Sequence, residues 1–149
     1  MPTVLVVDDD KTLADTLALI LRSNAYDVAV AYDGRHGYEL AGSLQPDLVI
    51  SDVLMPEMNG VEMAIKIHRE FPETRILLVS GQASTLDLLK EARDSGYEFA
   101  ALTKPVPPID LLAKVKELIA KVSVASISQN AEVSAAASST GRQTDTTVP

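Results

Sequence analysis

Short, wholly apolar runs recur along this chain, and four of the five break off at a polar residue. They are Val4–Val7, Val28–Ala31, Leu48–Ile50, Ile76–Val79 and Phe99–Leu102. An apolar run with many β-branched side chains and no polar alternation fits a strand covered on both faces, the condition found in parallel sheets. Helical periodicity fills the segments between them. Leu13, Leu17, Ile20 and Leu21 share one face, with Asn24 as a stop, and Tyr38–Leu44 closes at Gln45-Pro46. Val61, Ala64, Ile65 and His68 lie opposite Glu62, Lys66, Arg69 and Glu70, and Thr85–Asp94 closes at Gly96. A last helix opens at Pro107-Pro108 and carries Leu111, Leu112, Val115, Leu118, Ile119 and Val122 on its apolar side. Strand and helix alternate five times, which specifies an α/β fold: a parallel five-stranded sheet with helices on both faces.

The 149 residues suffice for one domain with a real core and are too few for two ordinary ones. From Ser123 the apolar periodicity disappears into Ser, Ala and Thr, so the expected division is a folded domain over 1–122 and a disordered tail over 123–149 that cannot form an output domain. The net charge of −8 argues against contact with nucleic acid phosphates or an anionic membrane surface. Absence of Cys excludes disulfides, thiol catalysis and thiolate metal sites and is compatible with a reducing cytoplasm. Nowhere does the sequence hold the roughly 18 uninterrupted apolar residues of a membrane span. The expected location is therefore cytoplasmic.

In an open parallel sheet the ligand crevice lies outside the carboxyl ends of the strands. The first strand ends in Asp8-Asp9, the third in Asp52, the fourth in Ser80 and the fifth in Lys104. Carboxylates gathered at one edge raise one another's pKa unless a cation intervenes, and an all-oxygen donor set suits Mg²⁺. With such an ion present, Asp52 is a nucleophile toward a phosphoryl group, and Lys104 and Ser80 stabilise charge on its oxygens. Plainer roles compete with this reading. The Asp8-Asp9-Asp10 run also serves as a helix N-cap, above all at Asp10; Ser80-Gly81 is an ordinary turn pair; and Lys104 is also placed as a solvated loop lysine. His36 and His68 lack partners at metal-ligand spacing, and Met55, Met58 and Met63 read as packing residues.

Taken together, Val6-Val7-Asp8-Asp9, Ser51-Asp52-Val53-Leu54-Met55-Pro56-Glu57-Met58-Asn59-Gly60, Val79-Ser80-Gly81 and Thr103-Lys104-Pro105 resemble, in that order, the receiver domain of two-component response regulators. The resemblance covers residues 3–122 and implies a flavodoxin-like, doubly wound fold with strand order 2-1-3-4-5. It also implies phosphorylation of Asp52, with Mg²⁺ held by Asp9, Asp52 and the Leu54 carbonyl and by Asp8 through water. Ser80 and Lys104 would engage the phosphoryl group, and the Lys104–Pro105 peptide would be cis. The implied partners are a sensor histidine kinase or histidine phosphotransfer protein and an unidentified downstream protein, with no direct nucleic acid binding and no membrane. Enzymatic activity would be limited to Mg-dependent self-phosphorylation from a phosphodonor and slow self-dephosphorylation. Receivers often carry an aromatic switch residue three positions before the lysine, and here that position is Ala101. Two rivals stand beside this reading. A haloacid-dehalogenase-like phosphatase would use Asp8 as nucleophile, since Val4–Thr12 also gives an apolar strand followed by Asp-x-Asp-x-Thr. A pseudo-receiver docking module would carry no phosphoryl group at all.

Overall fold

The structure is a computed structural model and describes residues 1–81 and 85–135, those from 122 onward by their backbone alone. Its elements alternate as the apolar runs require: β1 (Thr3–Val7), α1 (Lys11–Arg22), β2 (Asp27–Ala31), α2 (Gly34–Leu44), β3 (Leu48–Asp52), α3 (Gly60–Glu70), β4 (Arg75–Ser80), α4 (Thr85–Asp94), β5 (Ala100–Thr103) and α5 (Pro108–Ala135). All strand pairs are parallel, in the order β2-β1-β3-β4-β5. The expected flavodoxin-like topology is the one observed.

Two cores explain why the strands show no polar alternation. Leu5, Val7, Val49, Ile76 and Leu78 face one way, onto Ala41 of α2, Met63, Ala64 and Ile67 of α3, and Ala92 of α4. Val4, Val6, Leu48, Ile50, Leu77 and Val79 face the other way, onto Ala14, Ala18 and Leu21 of α1 and Leu111, Val115 and Leu118 of α5. Successive residues of a strand point to opposite sides, so covering both sides demands an apolar residue at every position.

Differences from the expected elements are local. Asp10 caps α1 by accepting from Leu13 N, its plainer expected role. The helix ends at Arg22, and the left-handed residue that reverses the chain is Ala25 rather than Asn24. Helix α2 begins at Gly34, earlier than the apolar pattern indicates, because Asp33 caps it by accepting from His36 N. On α3 the buried face includes Met63 and Ile67, while His68 is exposed and edge-on to Tyr97 and Phe99. Phe99 precedes β5 instead of belonging to it.

Residues Met1–Ile119 form one compact unit and Ala120–Pro149 a second. Helix α5 does not stop at the compositional change near 122; its backbone continues to Ala135. Alanine is the strongest helix former, and no Pro or Gly interrupts the sequence between Pro108 and Gly141. The disorder expected for 136–149 lies outside the described residues. Among the described residues, no helix is long and apolar enough to cross a membrane.

One packing contact gives a direct check. A Cβ placed on Gly37 of α2 would lie 2.8 and 2.9 Å from the two Val7 methyls and 3.0 Å from the Met63 sulfur. Helix propensity alone favours Ala over Gly by about 1 kcal/mol. Val7 is buried and its β-branched side chain is restricted at χ1, so it has little room to yield. Overpacking costs about 1–3 kcal/mol, and we expect Gly37→Ala to lower stability despite its better propensity, read as a reduced urea midpoint.

Candidate functional site

The parallel registers bring the strand ends to one edge. Val7 pairs with Ser51, Asp52 with Val79, and Ser80 with Thr103, so Asp8, Asp52, Ser80 and Lys104 emerge together. The loop after β3 is fastened back onto the sheet. Val53 N donates to Val79 O at 3.2 Å, and Gly60 N donates to Val53 O at 2.8 Å. Gly60 approaches so closely that a Cβ there would lie 2.1 Å from the Asp52 carbonyl oxygen, which explains the glycine. Asn59 then starts α3 with a capping box: its side chain accepts from Glu62 N while Glu62 accepts from Asn59 N.

At that edge Lys104 Nζ donates to Asp52 Oδ1 at 3.1 Å and lies 3.6 Å from Asp8 Oδ2. Asp52 Oδ1 also accepts from Val53 N at 3.0 Å, and Asp8 Oδ1 from Asp10 N at 2.9 Å. One carboxylate oxygen from each of Asp8, Asp9 and Asp52 falls within 4.8 Å of the others. Oxygen donors at this spacing could hold a metal ion. Asp8 is 3% exposed, Asp9 is exposed and Asp52 is partly buried. Desolvation raises the Asp8 pKa above the ordinary carboxylate value, and the hydrogen bond from Asp10 and the Lys104 charge only partly oppose it. A cavity of about 540 Å³ adjoins the cluster, walled by Val7, Leu13, Leu17, Ile50 and Leu111.

Lys104 is therefore no solvated loop lysine, since it is ion-paired at the cluster. The Lys104–Pro105 peptide is cis. Leu54 is exposed in the β3–α3 loop, and Ala101 is exposed on β5 opposite Leu78. Ser80 is buried and its hydroxyl is hydrogen-bonded to that of Thr85, the first residue of α4. Thr85 gave no sequence signal, because its separation from Ser80 marks no turn or helix spacing.

The family described as the response regulator receiver domain matches residues 4–116. A CheY-like response regulator receiver domain protein from Methanospirillum hungatei JF-1 superposes with a TM-score of 0.77 at 31% identity, covering 83% of this chain and 97% of that one. Among curated relatives, the DNA-binding response regulator MtrA of Mycobacterium tuberculosis (strain ATCC 25618 / H37Rv) is 32% identical over 113 residues, 76% of this chain and 48% of MtrA. The DNA-binding dual master transcriptional regulator RpaA of Synechocystis sp. (strain ATCC 27184 / PCC 6803 / Kazusa) is 32% identical over 121 residues, 80% of this chain and 49% of RpaA. The chain spans about half the length of the curated relatives it matches. These relatives, DNA-binding regulators by description, overturn the expectation of no direct nucleic acid binding. That expectation rested on the net charge of this chain, and the charge of one region says nothing about the remainder of such a protein.

The raised pKa of Asp8 sets a pH dependence. Stability from such a group is present below its unfolded pKa, about 3.9, and is lost as pH rises through the higher folded value. Without divalent cations at pH 7, we expect Asp8→Asn to have a higher urea midpoint than the wild type. The advantage should fade toward pH 3 and narrow at pH 7 when Mg²⁺ is added. A more stable wild type in metal-free buffer at pH 7 would contradict burial as the dominant influence.

Proposed function

The chain belongs to the response regulator receiver domain family of two-component systems, and from that premise we propose that it is phosphorylated on Asp52 in a Mg²⁺-dependent reaction. The observation that carries this reading is the convergence of Lys104 Nζ on Asp52 Oδ1 beside Asp8 and Asp9. Receiver domains are in general non-enzymatic signalling modules, so the chemistry is confined to loading and losing the phosphoryl group.

An oxygen of Asp52 forms the new bond to phosphorus, while the bond from phosphorus to the donor breaks and its electron pair leaves with the donor. A phosphohistidine of a histidine kinase is the donor class that the family supports. Lys104 holds Asp52 in place and lies where it can pair with a phosphoryl oxygen. Ser80, at the end of the neighbouring strand, supplies a hydroxyl to the same group. Asp9, Asp52 and the Leu54 carbonyl would hold Mg²⁺ directly and Asp8 through a water, a donor set of oxygens alone, and the three carboxylates among them stand within 4.8 Å of one another. When bound, the ion supplies positive charge to the carboxylates and to the phosphoryl oxygens. Charge placed before the reaction is the main contribution such a site can make, since little covalent chemistry falls to the protein.

Incubation with acetyl phosphate and Mg²⁺, followed by borohydride trapping and peptide mass spectrometry, tests the assignment. We expect the label on Asp52, its loss in Asp52→Asn and in EDTA, and a fall of about 10²-fold in labelling rate for Lys104→Met, the scale of removing one charge-stabilising group. Label on Asp8 would move the nucleophile there. An unlabelled wild type would leave a docking module without phosphoryl chemistry.

A further inference from the structure

We propose, resting on the assignment of Asp52 as phosphoryl acceptor, that Thr85 is a positioning residue whose hydroxyl orients that of Ser80 and ties the first turn of α4 to the acid site. Thr85 is 1% exposed, although a Thr opening a helix ordinarily meets water. Its Oγ1 is hydrogen-bonded to Ser80 Oγ, and Ser80 is itself 4% exposed. The carbonyl of Ser80 accepts from Lys104 N at 2.8 Å, and Lys104 Nζ donates to Asp52 Oδ1 at 3.1 Å. The path Asp52, Lys104, Ser80, Thr85 is thus continuous through side chains and the backbone of Lys104 and Ser80. Ala101 offers no ring that could take over this coupling.

The hydroxyl pair has a directional property. Each hydroxyl owns one proton and two lone pairs. While Ser80 donates to Thr85, its proton is committed and cannot reach a phosphoryl oxygen. If Thr85 donates to Ser80 instead, the shared bond survives and the Ser80 proton becomes available. A phosphoryl group on Asp52 favours the second arrangement, because it supplies a charged acceptor, and the relay Thr85 to Ser80 to phosphoryl oxygen strengthens both bonds. Movement of the Ser80 side chain then carries the first turn of α4 with it. The far end of α4 is fixed separately. Tyr97 N donates to Ala92 O at 2.8 Å, and the Tyr97 ring stacks on Phe99 and stands edge-on to His68 of α3. The response is therefore concentrated at the start of the helix.

The test uses the full chain as wild type, Thr85→Val, which keeps branching and size without a hydroxyl, and Thr85→Ser, which keeps the hydroxyl. Asp52 labelling by acetyl phosphate is measured alongside amide exchange over residues 85–94, with and without Mg²⁺ and beryllofluoride. We expect all three to take label on Asp52, the wild type and Thr85→Ser to change exchange severalfold in the first turns of α4, and Thr85→Val to lose that change. A Thr85→Val response equal to the wild type, a Thr85→Ser variant that fails to restore it, or a wild type without any response overturns the inference alone, provided Asp52 is labelled. Absence of label from wild-type Asp52 removes the phosphoacceptor reading and this inference with it. Should Thr85→Val not fold, Thr85→Ala is read the same way.

Discussion

The ammonium of Lys104 stands 3.1 Å from Asp52 and 3.6 Å from Asp8, and this contact can exist only where the ends of β1, β3 and β5 reach one edge of a parallel sheet. Parallel pairing makes every strand run toward that edge. The order β2-β1-β3-β4-β5 then sets Asp52 in the central strand, between the acidic end of β1 and the hydroxyl end of β4. The two cores hold the strands in register, because a slip by one residue would exchange the faces of every side chain. Packing and chemistry are joined at Val7, which fills a core position and immediately precedes Asp8.

The cluster works against the stability of the fold that builds it. Asp8 is buried among like charges with a raised pKa, so its ionised form is held at a cost in the absence of a divalent ion. Lys104 offsets only part of that charge. A cation held among these carboxylates would relieve the remainder, and the cluster could hold one. Gly60 shows the same tension in the backbone, since the loop can close over the end of β3 only without a side chain there.

Much of this was legible in the sequence because both periodicity and strand ends are local signals. Apolar runs ending in Asp8, Asp52, Ser80 and Lys104 gave the elements and the edge at which they meet. The resemblance added the strand order, which no single run encodes. Element edges were harder to read. Asp33 caps α2 before the apolar pattern begins, and Ala25, not Asn24, takes the left-handed conformation. The burial of Met63 and Ile67 on α3 depends on which face meets β1 and β4, a tertiary fact. Thr85 was invisible for a like reason: its significance lies in a contact with Ser80, and a buried hydroxyl pair has no composition or spacing of its own. The nucleic acid expectation failed because charge was read from a chain covering about half of its curated relatives.

Ala101 removes the ring that receivers often use, which puts weight on the β4–α4 junction, where Ser80 already meets both Lys104 and Thr85. All of this depends on Asp52 being the phosphoryl acceptor. Fluorine NMR of the chain with Mg²⁺ and beryllofluoride, a mimic of the phosphoryl group, addresses that point most directly. Bound fluoride resonances that need Mg²⁺ and vanish in Asp52→Asn are the expected result; resonances that persist in Asp52→Asn would contradict it.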